Sequence, residues 1–316
     1  MTHPGTTETA PATGTADLTP LPQHPALNAL VDALVRRHGS NLAGVLFYGS
    51  CLRSGDPCDG LVDLYLIVDR YRPANRGILR AIWNRLLPPN VFYTEIDHAG
   101  HRVRCKYAVL SLEQLERGTR RWFHGYLWGR FSQPVAIAHA RDGQTRQRID
   151  ASLLAAVQRF LASVLPALPA RGRLESLWVD GLRMNYATEL RPEAPDRTRG
   201  LVRAWPDWYR SATRRALPGL GGCLELDGED YHSHCSRGDR LAARLAWPLR
   251  RVQGKLLSVA RLLKALFTFD GGLDYIAWKL ERHSGVRVEI PARVRRWPLI
   301  FVWGLFWKLY RQGAFR

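Results

Sequence analysis

Short apolar runs separated by turn residues mark the first third of the chain. Residues 45–48 (VLFY) and 64–68 (LYLIV) have the length of strands and consist of residue types that favour strands. Residues 90–97 and 101–110 alternate apolar and polar positions well enough to form paired strands, and residues 98–100 would join them. The pattern therefore predicts a sheet in the N-terminal part of the protein.

Apolar residues at helical spacing predict helices around and after these strands. Pro88 and Pro89 end the second helix, because proline cannot donate the helical hydrogen bond. Residues 166–173 contain Pro and Gly without periodicity and are the best candidate for a linker between two domains. The predicted helices span residues 26–37, 78–87, 112–127, 149–168 and 174–189.

The amino end and the cysteines bear on where the protein works. Residues 1–24 are rich in Thr, Pro, Ala and Gly, without a basic start or an apolar core, which predicts a disordered tail and not a secretory signal. The five cysteines show no C-x-x-C spacing, which favours a reducing compartment. Both observations indicate a protein that works in the compartment where it is made.

The charge points to a polyanionic partner. The chain has 46 Lys and Arg against 28 Asp and Glu, a net charge of +18, which suits nucleic acid or an acidic membrane surface. Residues 297–307 form an uncharged run rich in Trp and Phe, with Arg on both sides. As a helix this run spans about 16 Å, too short for the roughly 30 Å of a bilayer core, so it suits a helix lying among lipid headgroups. A buried helix or a dimer contact is the alternative.

Candidate chemistry lies between the first two predicted strands. Gly49 permits a sharp turn, and Ser50 offers a hydroxyl and an amide to a phosphate. Asp63, at the start of the next strand, is placed to hold a divalent metal that bridges a triphosphate. This order of strand, Gly-Ser, loop and Asp-led strand resembles the DNA polymerase beta-like nucleotidyltransferase superfamily.

Three further segments are similar to one branch of that superfamily, the mitochondrial-type phosphatidate cytidylyltransferases of the translocator assembly and maintenance family. That family has Lys-Tyr-Gly-Val, Tyr-x-x-Gly-Arg-x-x-Lys-Pro and Ser-Tyr-x-x-Asp-x-Arg segments in this order. The matching segments here are Lys106-Tyr-Ala-Val, Tyr126-x-x-Gly-Arg130-x-x-Gln-Pro and Asn185-Tyr186-x-x-Glu189-x-Arg191. The resemblance covers residues 40–280 and thins after 200; Cys51, Gln133, Asn185 and Glu189 depart from the family pattern.

The resemblance implies an α+β protein. A polymerase beta-like nucleotidyltransferase domain with a mixed sheet and helices would span residues 25–165. A mainly helical, winged-helix-like domain would follow in residues 174–285. Residues 286–316 would form a basic, aromatic, amphipathic helix that associates with the membrane.

The implied reaction makes CDP-diacylglycerol and pyrophosphate from CTP and phosphatidic acid, with Mg²⁺, at the membrane surface. The enzyme would be peripheral, on the cytoplasmic face of the inner membrane, without a nucleic-acid partner. The resemblance assigns catalysis to Asp63, Lys106 and Glu189. It assigns substrate binding to Tyr48, Gly49, Ser50, Arg130, Tyr186 and Arg191.

One carboxylate is missing from the expected site. The superfamily usually has Asp-x-Asp, which puts two carboxylates on one face of a strand, whereas Asp63 has no acidic neighbour two residues away. Glu95 or Asp97, which share a strand face, would be the second metal ligand, or Glu189 would supply it. Two other functions stay open: a degenerate membrane-bound scaffold, and a nucleotidyltransferase that acts on RNA or another acceptor.

Overall fold

The computed structural model of the protein describes residues 14–75, 77–190 and 195–268. Within these residues the protein is α+β, with a mixed five-stranded sheet, a three-stranded sheet and many helices. The strands are β1 (Leu42–Tyr48), β2 (Val62–Val68), β3 (Asn90–His98), β4 (His101–Ser111), β5 (Ala136–Ala140), β6 (Arg171–Arg173), β7 (Leu224–Asp227) and β8 (Asp230–Ser233). The α-helices are α1 (Pro25–His38), α2 (Ser50–Ser54), α3 (Tyr71–Ala74), α4 (Ile78–Leu86), α5 (Leu112–Arg121), α6 (Trp128–Phe131), α7 (Gly143–Val164), α8 (Leu174–Tyr186), α9 (Pro195–Arg203), α10 (Pro206–Ala216) and α11 (Arg237–Thr268).

The large sheet places three candidate residues side by side. Its strand order is β3-β4-β2-β1-β5, in which only the β2–β4 pair is parallel among the described strands. Tyr48 on β1 is paired with Asp63 on β2, and Asp63 is paired with Lys106 on β4. The register therefore aligns a phenol, a carboxylate and an amine across three adjacent strands.

Both faces of this sheet are buried, which explains why its central strands read as continuous apolar runs. Val45 and Phe47 of β1 pack in a cluster with α1, whereas Leu46 packs on the other face in a cluster with α7. By length and composition, the helical stretch Gly143–Ala167 is apolar enough to cross a membrane, but 61% of its apolar 18-residue window is buried inside the protein. Its burial identifies it as the central helix of the core.

The three-stranded antiparallel sheet and helices α8–α10 share that core. The small sheet has the order β6-β8-β7. The buried Trp178 of α8 stacks on Phe160 of α7, with ring centroids 4.9 Å apart and planes at 7°. Trp178 also donates a hydrogen bond to Thr213 of α10 at 2.9 Å. One continuous apolar cluster thus joins the two halves of the described chain.

The predictions for strands β1–β4 and for helices α1, α4 and α8 are confirmed to within a few residues. The prediction of a single helix over 112–127 is wrong, because α5 ends at Arg121 and the chain then turns back on itself. Trp128 donates a hydrogen bond to the carbonyl of Trp122 at 3.1 Å, which holds this turn. The helix predicted over 149–168 begins earlier, because Asp142 caps it by accepting the Thr145 N–H at 2.7 Å.

Several expectations concern other parts of the chain. The stretch 166–173 is not structureless, since its last three residues form β6, which pairs with β8. Residues 192–245 gave no clear sequence pattern, yet they contain α9, α10, β7 and β8. The predicted membrane-associating helix in 286–316 lies outside the described residues.

Candidate functional site

A polar cavity of about 290 Å³ opens where β1 ends and β2 begins, and α8–α10 form its other wall. It gathers candidate residues that lie up to 141 positions apart in sequence. Eight of the predicted site residues line it: Tyr48, Gly49, Ser50, Asp63, Lys106, Arg130, Tyr186 and Glu189. Arg191, the other predicted substrate-binding residue of that region, lies outside the described residues.

Asp63 and Lys106 form an ion pair at the floor of the cavity. The Nζ atom of Lys106 lies 2.8 Å from Oδ1 of Asp63, and their side chains are 31% and 18% exposed. The pair follows directly from the parallel register of β2 and β4. Because both side chains remain partly open to the cavity, an anion or a cation that enters can contact them.

The Gly49 turn lies directly against the Asp63 carboxylate. Gly49 has φ +89°, a conformation that L side chains rarely adopt, and a Cβ there would come within 2.9 Å of Oδ2 of Asp63. Ser50 follows and begins the short helix α2. Glycine at this position therefore serves both the turn and the close approach to the carboxylate.

Arg130, on α6, also lines the cavity. Its Nη2 atom lies 3.6 Å from Oε1 of Glu189, and its guanidinium carbon lies 5.9 Å and 5.5 Å from the ring centroids of Tyr48 and Tyr126. The buried Nε atom of Arg130 has no hydrogen-bond partner among the described residues. The guanidinium is thus held in place by aromatic rings and a carboxylate, while the Arg130 side chain as a whole stays 30% exposed.

Contacts between α8 and the region of α6 join the segment that contains Asn185 and Tyr186 to the segment that contains Gly129 and Gln133. Tyr186 donates a hydrogen bond to Oε1 of Gln133 at 2.9 Å. A Cβ on Gly129 would come within 2.1 Å of the Asn185 amide, so glycine is required for α8 to approach α6 this closely. Gln133 and Asn185, which depart from the family pattern, are therefore both accommodated by contacts between α8 and the region of α6.

The environment keeps two neighbouring groups neutral. Burial, followed by the charge of Asp63, raises the pKa of the Tyr48 phenol well above its ordinary value. The same two causes raise the pKa of the Cys51 thiol to about 11, and Cys51 donates to the carbonyl of Leu61 at 3.2 Å. Cys51 is therefore a packing residue and not a nucleophile, since the thiolate is the reactive form.

Some cavity residues have no counterpart among the sequence predictions. Among the described lining residues, four are basic and two are acidic, so the cavity favours anionic ligands. The basic residues comprise Lys106, Arg130 and two that sequence reasoning missed, Arg53 and Arg197. Arg53 lies three residues after the Ser50 turn, a position that could have flagged it, whereas Arg197 lies in a region without a readable pattern.

Glu95 lies away from the cavity. Its carboxylate accepts a hydrogen bond from the Tyr93 hydroxyl and pairs with Arg102 at 3.6 Å and Arg104 at 3.5 Å. It belongs to β3, two strands from β2, and is paired across from Arg104, not from Lys106. Of the predicted second carboxylates, Glu189 is the one that lines the cavity with Asp63.

The oxygen donors of the cavity fit a magnesium ion held partly by substrate. Mg²⁺ in nucleotide sites is usually bound by one or two carboxylates together with phosphate oxygens. Asp63 meets this requirement because its Oδ2 atom lies at the Gly49 turn, where phosphates would be bound, while Oδ1 faces Lys106. Asp63 would therefore hold the ion, with Glu189 as the available second carboxylate.

A second group of donor atoms lies outside the cavity. Ligand atoms of His24, Asp56 and Cys58 lie within 4.8 Å of one another. However, Nδ1 of His24 already accepts the Ala26 N–H at 3.2 Å, so Nε2 carries the proton of the neutral ring. A metal at either nitrogen would have to displace that proton or the helix cap, and we assign no ion to this group.

Comparison with known proteins does not decide between the candidate functions. No protein-family model matches the chain, and no curated protein matches it. The geometry of the cavity is therefore the basis for assigning a function.

Proposed function

We propose that the protein is a nucleotidyltransferase that transfers the cytidylyl group of CTP to phosphatidic acid, forming CDP-diacylglycerol and pyrophosphate. The observation that supports this most is the cavity itself, which unites Gly49, Asp63, Lys106, Arg130 and Glu189. These residues come from the separate segments whose order in sequence resembles the phosphatidate cytidylyltransferase family. In this proposal the five-stranded sheet belongs to a polymerase beta-like domain, followed by a winged-helix-like domain.

The reaction needs positioning and charge neutralisation more than proton transfer. A phosphate oxygen of phosphatidic acid is already anionic, so it can attack the α-phosphorus of CTP without a strong general base. The new P–O bond forms while the bond breaks between the α-phosphorus and the oxygen that bridges the α- and β-phosphates, and pyrophosphate leaves with the electron pair. Catalysis then depends on holding the two phosphates in line and on neutralising their charge.

The cavity residues can divide this work among them. The Gly49–Ser50 turn and Lys106 would bind the triphosphate beside Asp63, because the turn and the amine both lie at this carboxylate. Arg130, whose side chain is 30% exposed, would bind the phosphate of the lipid, and Tyr186, which donates to Gln133, would contribute to the same substrate site. When bound, Mg²⁺ supplies further neutralisation and orientation of the triphosphate.

The placement of aromatic residues in the sequence favours a lipid acceptor over RNA. Trp, Phe and Tyr are concentrated in the short basic stretch 297–310, whereas single-stranded nucleic acid binds along a basic groove with spaced aromatic platforms. The protein would work at the cytoplasmic face of the inner membrane as a peripheral enzyme. The excess of 18 positive charges suits an anionic bilayer.

The deciding experiment is incorporation of labelled CTP into chloroform-soluble lipid by the purified full chain. Reactions contain Mg²⁺ and vesicles with phosphatidic acid, and matched reactions omit each in turn. We expect labelled lipid only when both are present, with stoichiometric release of pyrophosphate. If label appears in added RNA and none in lipid, the acceptor assignment is wrong.

A degenerate scaffold is the second candidate, and one contact favours it. The ammonium group of Lys106 lies 2.8 Å from Oδ1 of Asp63, in a position where a cation would otherwise bind that oxygen. A site that had lost its metal would be expected to neutralise its remaining carboxylate in this way. Absence of CTP binding, measured by calorimetry with and without Mg²⁺, would support the scaffold.

A further inference from the structure

Helix α11 presents an apolar stripe to solvent. Seven large apolar residues follow one another at spacings of three or four, which places them on one face of the helix. Their exposed fractions range from 41% for Val259 to 66% for Leu256. They are Leu241, Leu245, Leu249, Val252, Leu256, Val259 and Leu263. An apolar surface of this length is unusual on a soluble protein and marks an interaction site.

The other face of α11 is anchored to the protein, so the stripe has a fixed orientation. Trp247 donates to the carbonyl of Ser163 at 3.1 Å, and Arg250 donates to the carbonyl of Phe123 at 3.0 Å. Near the end of the helix, Lys264 donates to the carbonyl of Pro89 at 2.7 Å. These contacts turn the apolar stripe away from the core along the length of the helix.

A second apolar surface begins where α11 is anchored. Helix α4 exposes Leu79, Trp83 and Leu86 at 74%, 50% and 70%. Arg261 of α11 donates to the carbonyl of Pro88, two residues after Leu86, at 3.1 Å. Helix α4 therefore lies near the end of α11, on the side by which α11 is anchored.

The charges around the stripe indicate what covers it. From residue 240 to residue 268 the sequence contains no Asp or Glu, and Arg244, Arg251 and Lys255 are exposed beside the stripe. A second copy of the chain would bring the same positive charges into contact and be repelled. An anionic bilayer offers both an apolar interior for the leucines and phosphate groups for the basic residues.

We propose that the exposed apolar face of α11, with its flanking basic residues, forms a docking surface for an anionic lipid bilayer. This surface consists of described residues only and includes none of the aromatic segment 286–316. This docking surface rests on the proposed function, because an enzyme with a lipid substrate must reach the bilayer. Bilayer binding can be measured without turnover, so the two proposals can be tested separately. Bulky apolar residues would enter the headgroup boundary, and the arginines and lysine would contact lipid phosphates.

The test is co-sedimentation of the full chain with vesicles, one set of phosphatidylcholine alone and one containing phosphatidylglycerol. Leu249→Gln with Leu256→Gln should weaken partitioning to the anionic vesicles by at least about tenfold. Leu249→Phe with Leu256→Phe keeps the surface apolar and should bind at least as well as the wild type. Because all four substitutions lie on exposed positions, circular dichroism and the thermal midpoint should stay close to those of the wild type.

A charge test uses matched pairs. Arg251→Gln with Lys255→Gln should weaken binding to anionic vesicles, whereas Arg36→Gln with Arg37→Gln on α1 removes the same charge elsewhere and should have a smaller effect. Undiminished binding of the two α11 double variants that carry Gln, or no binding by the wild type, would overturn the proposal. Loss of a dimer in light scattering with vesicle binding unchanged would assign the stripe to a second copy instead. Bilayer binding without CTP incorporation would leave the docking surface in place and reject only the proposed reaction.

Discussion

Lys106 and Asp63 meet across two parallel strands, with Nζ of the lysine 2.8 Å from Oδ1 of the aspartate. The pair joins the residue proposed to hold a metal with a residue proposed to neutralise phosphate. In a site without nucleotide, the lysine compensates the carboxylate. In the proposed reaction, an entering triphosphate would give the same lysine an anionic partner of higher charge and would make one oxygen of Asp63 available.

Removing the carboxylate charge should abolish transfer. We expect Asp63→Asn to lower cytidylyl incorporation at least about 100-fold, because the metal loses its principal ligand. The free energy of unfolding should change by no more than about 2 kcal/mol, since the ion pair is partly exposed. Asp97→Asn, a substitution of a carboxylate that is 79% exposed on β3, is the control and should keep full activity. Turnover by Asp63→Asn equal to that of the wild type would rule out the metal role.

Lys106 should affect nucleotide binding. Lys106→Met keeps much of the side-chain volume and removes the charge, so we expect CTP affinity to fall about tenfold or more. Titration calorimetry with CTP measures this directly. Arg102→Gln removes a 58% exposed charge from the same strand and should leave CTP affinity unchanged. Equal losses in both variants would indicate a general effect of net charge.

Substitutions at Gly49 and Gly55 distinguish the effect of backbone strain from the effect of contact with the site. Both have positive φ, +89° and +76°, so alanine should destabilise the fold by about 1–3 kcal/mol at either position. At Gly49 the new Cβ would also meet Oδ2 of Asp63, whereas at Gly55 no atom lies within 4 Å of it. Gly49→Ala should therefore lose activity, and Gly55→Ala should lose stability only. Chemical denaturation and the CTP assay, performed on both variants, give the comparison.

Glu189 either supplies a carboxylate to the metal or holds Arg130. Glu189→Gln keeps an acceptor for the arginine and removes the anionic charge. If Glu189 is a metal ligand, we expect lower activity that is partly restored by higher Mg²⁺ concentration. If it only positions Arg130, the variant should instead raise the KM for phosphatidic acid with the Mg²⁺ dependence unchanged.

Acid should destabilise the fold in a defined window. Burial, followed by the charge of Arg37, lowers the pKa of His38 from 6.5 to about 4, so the folded protein keeps this histidine neutral while the unfolded chain binds a proton. Stability should fall as the pH drops from about 6.5 to 4, by up to roughly 3 kcal/mol for this residue. Urea unfolding at several pH values should show a shallower loss for His38→Gln than for the wild type. His139→Gln on the edge strand β5 is the control, and equal slopes for all three proteins would contradict the assignment.

The elements of the large sheet were readable from sequence because their signals are local. The runs 45–48 and 64–68 are apolar because β1 and β2 are covered on both faces, and β3 and β4 alternate near their exposed ends. Helix α5 was overestimated because the apolar spacing continues through Trp122 and Leu127, although these residues pack as a turn. Strand β5 and helices α9 and α10 gave no pattern that stood out, because their burial comes from contacts distant in sequence.

The sequence by itself determined which residue types are available for chemistry: a Gly-Ser turn after one strand, a lone aspartate on the next, and ordered basic motifs beyond. Only the tertiary structure decided which of them meet. The parallel register of β2 and β4 brings Lys106 to Asp63, and the packing of α8 on α6 brings Glu189 to Arg130. The position of β3 at the sheet edge leaves Glu95 with two arginines instead. Strand order and helix packing are set by the whole apolar core, and no local pattern encodes them.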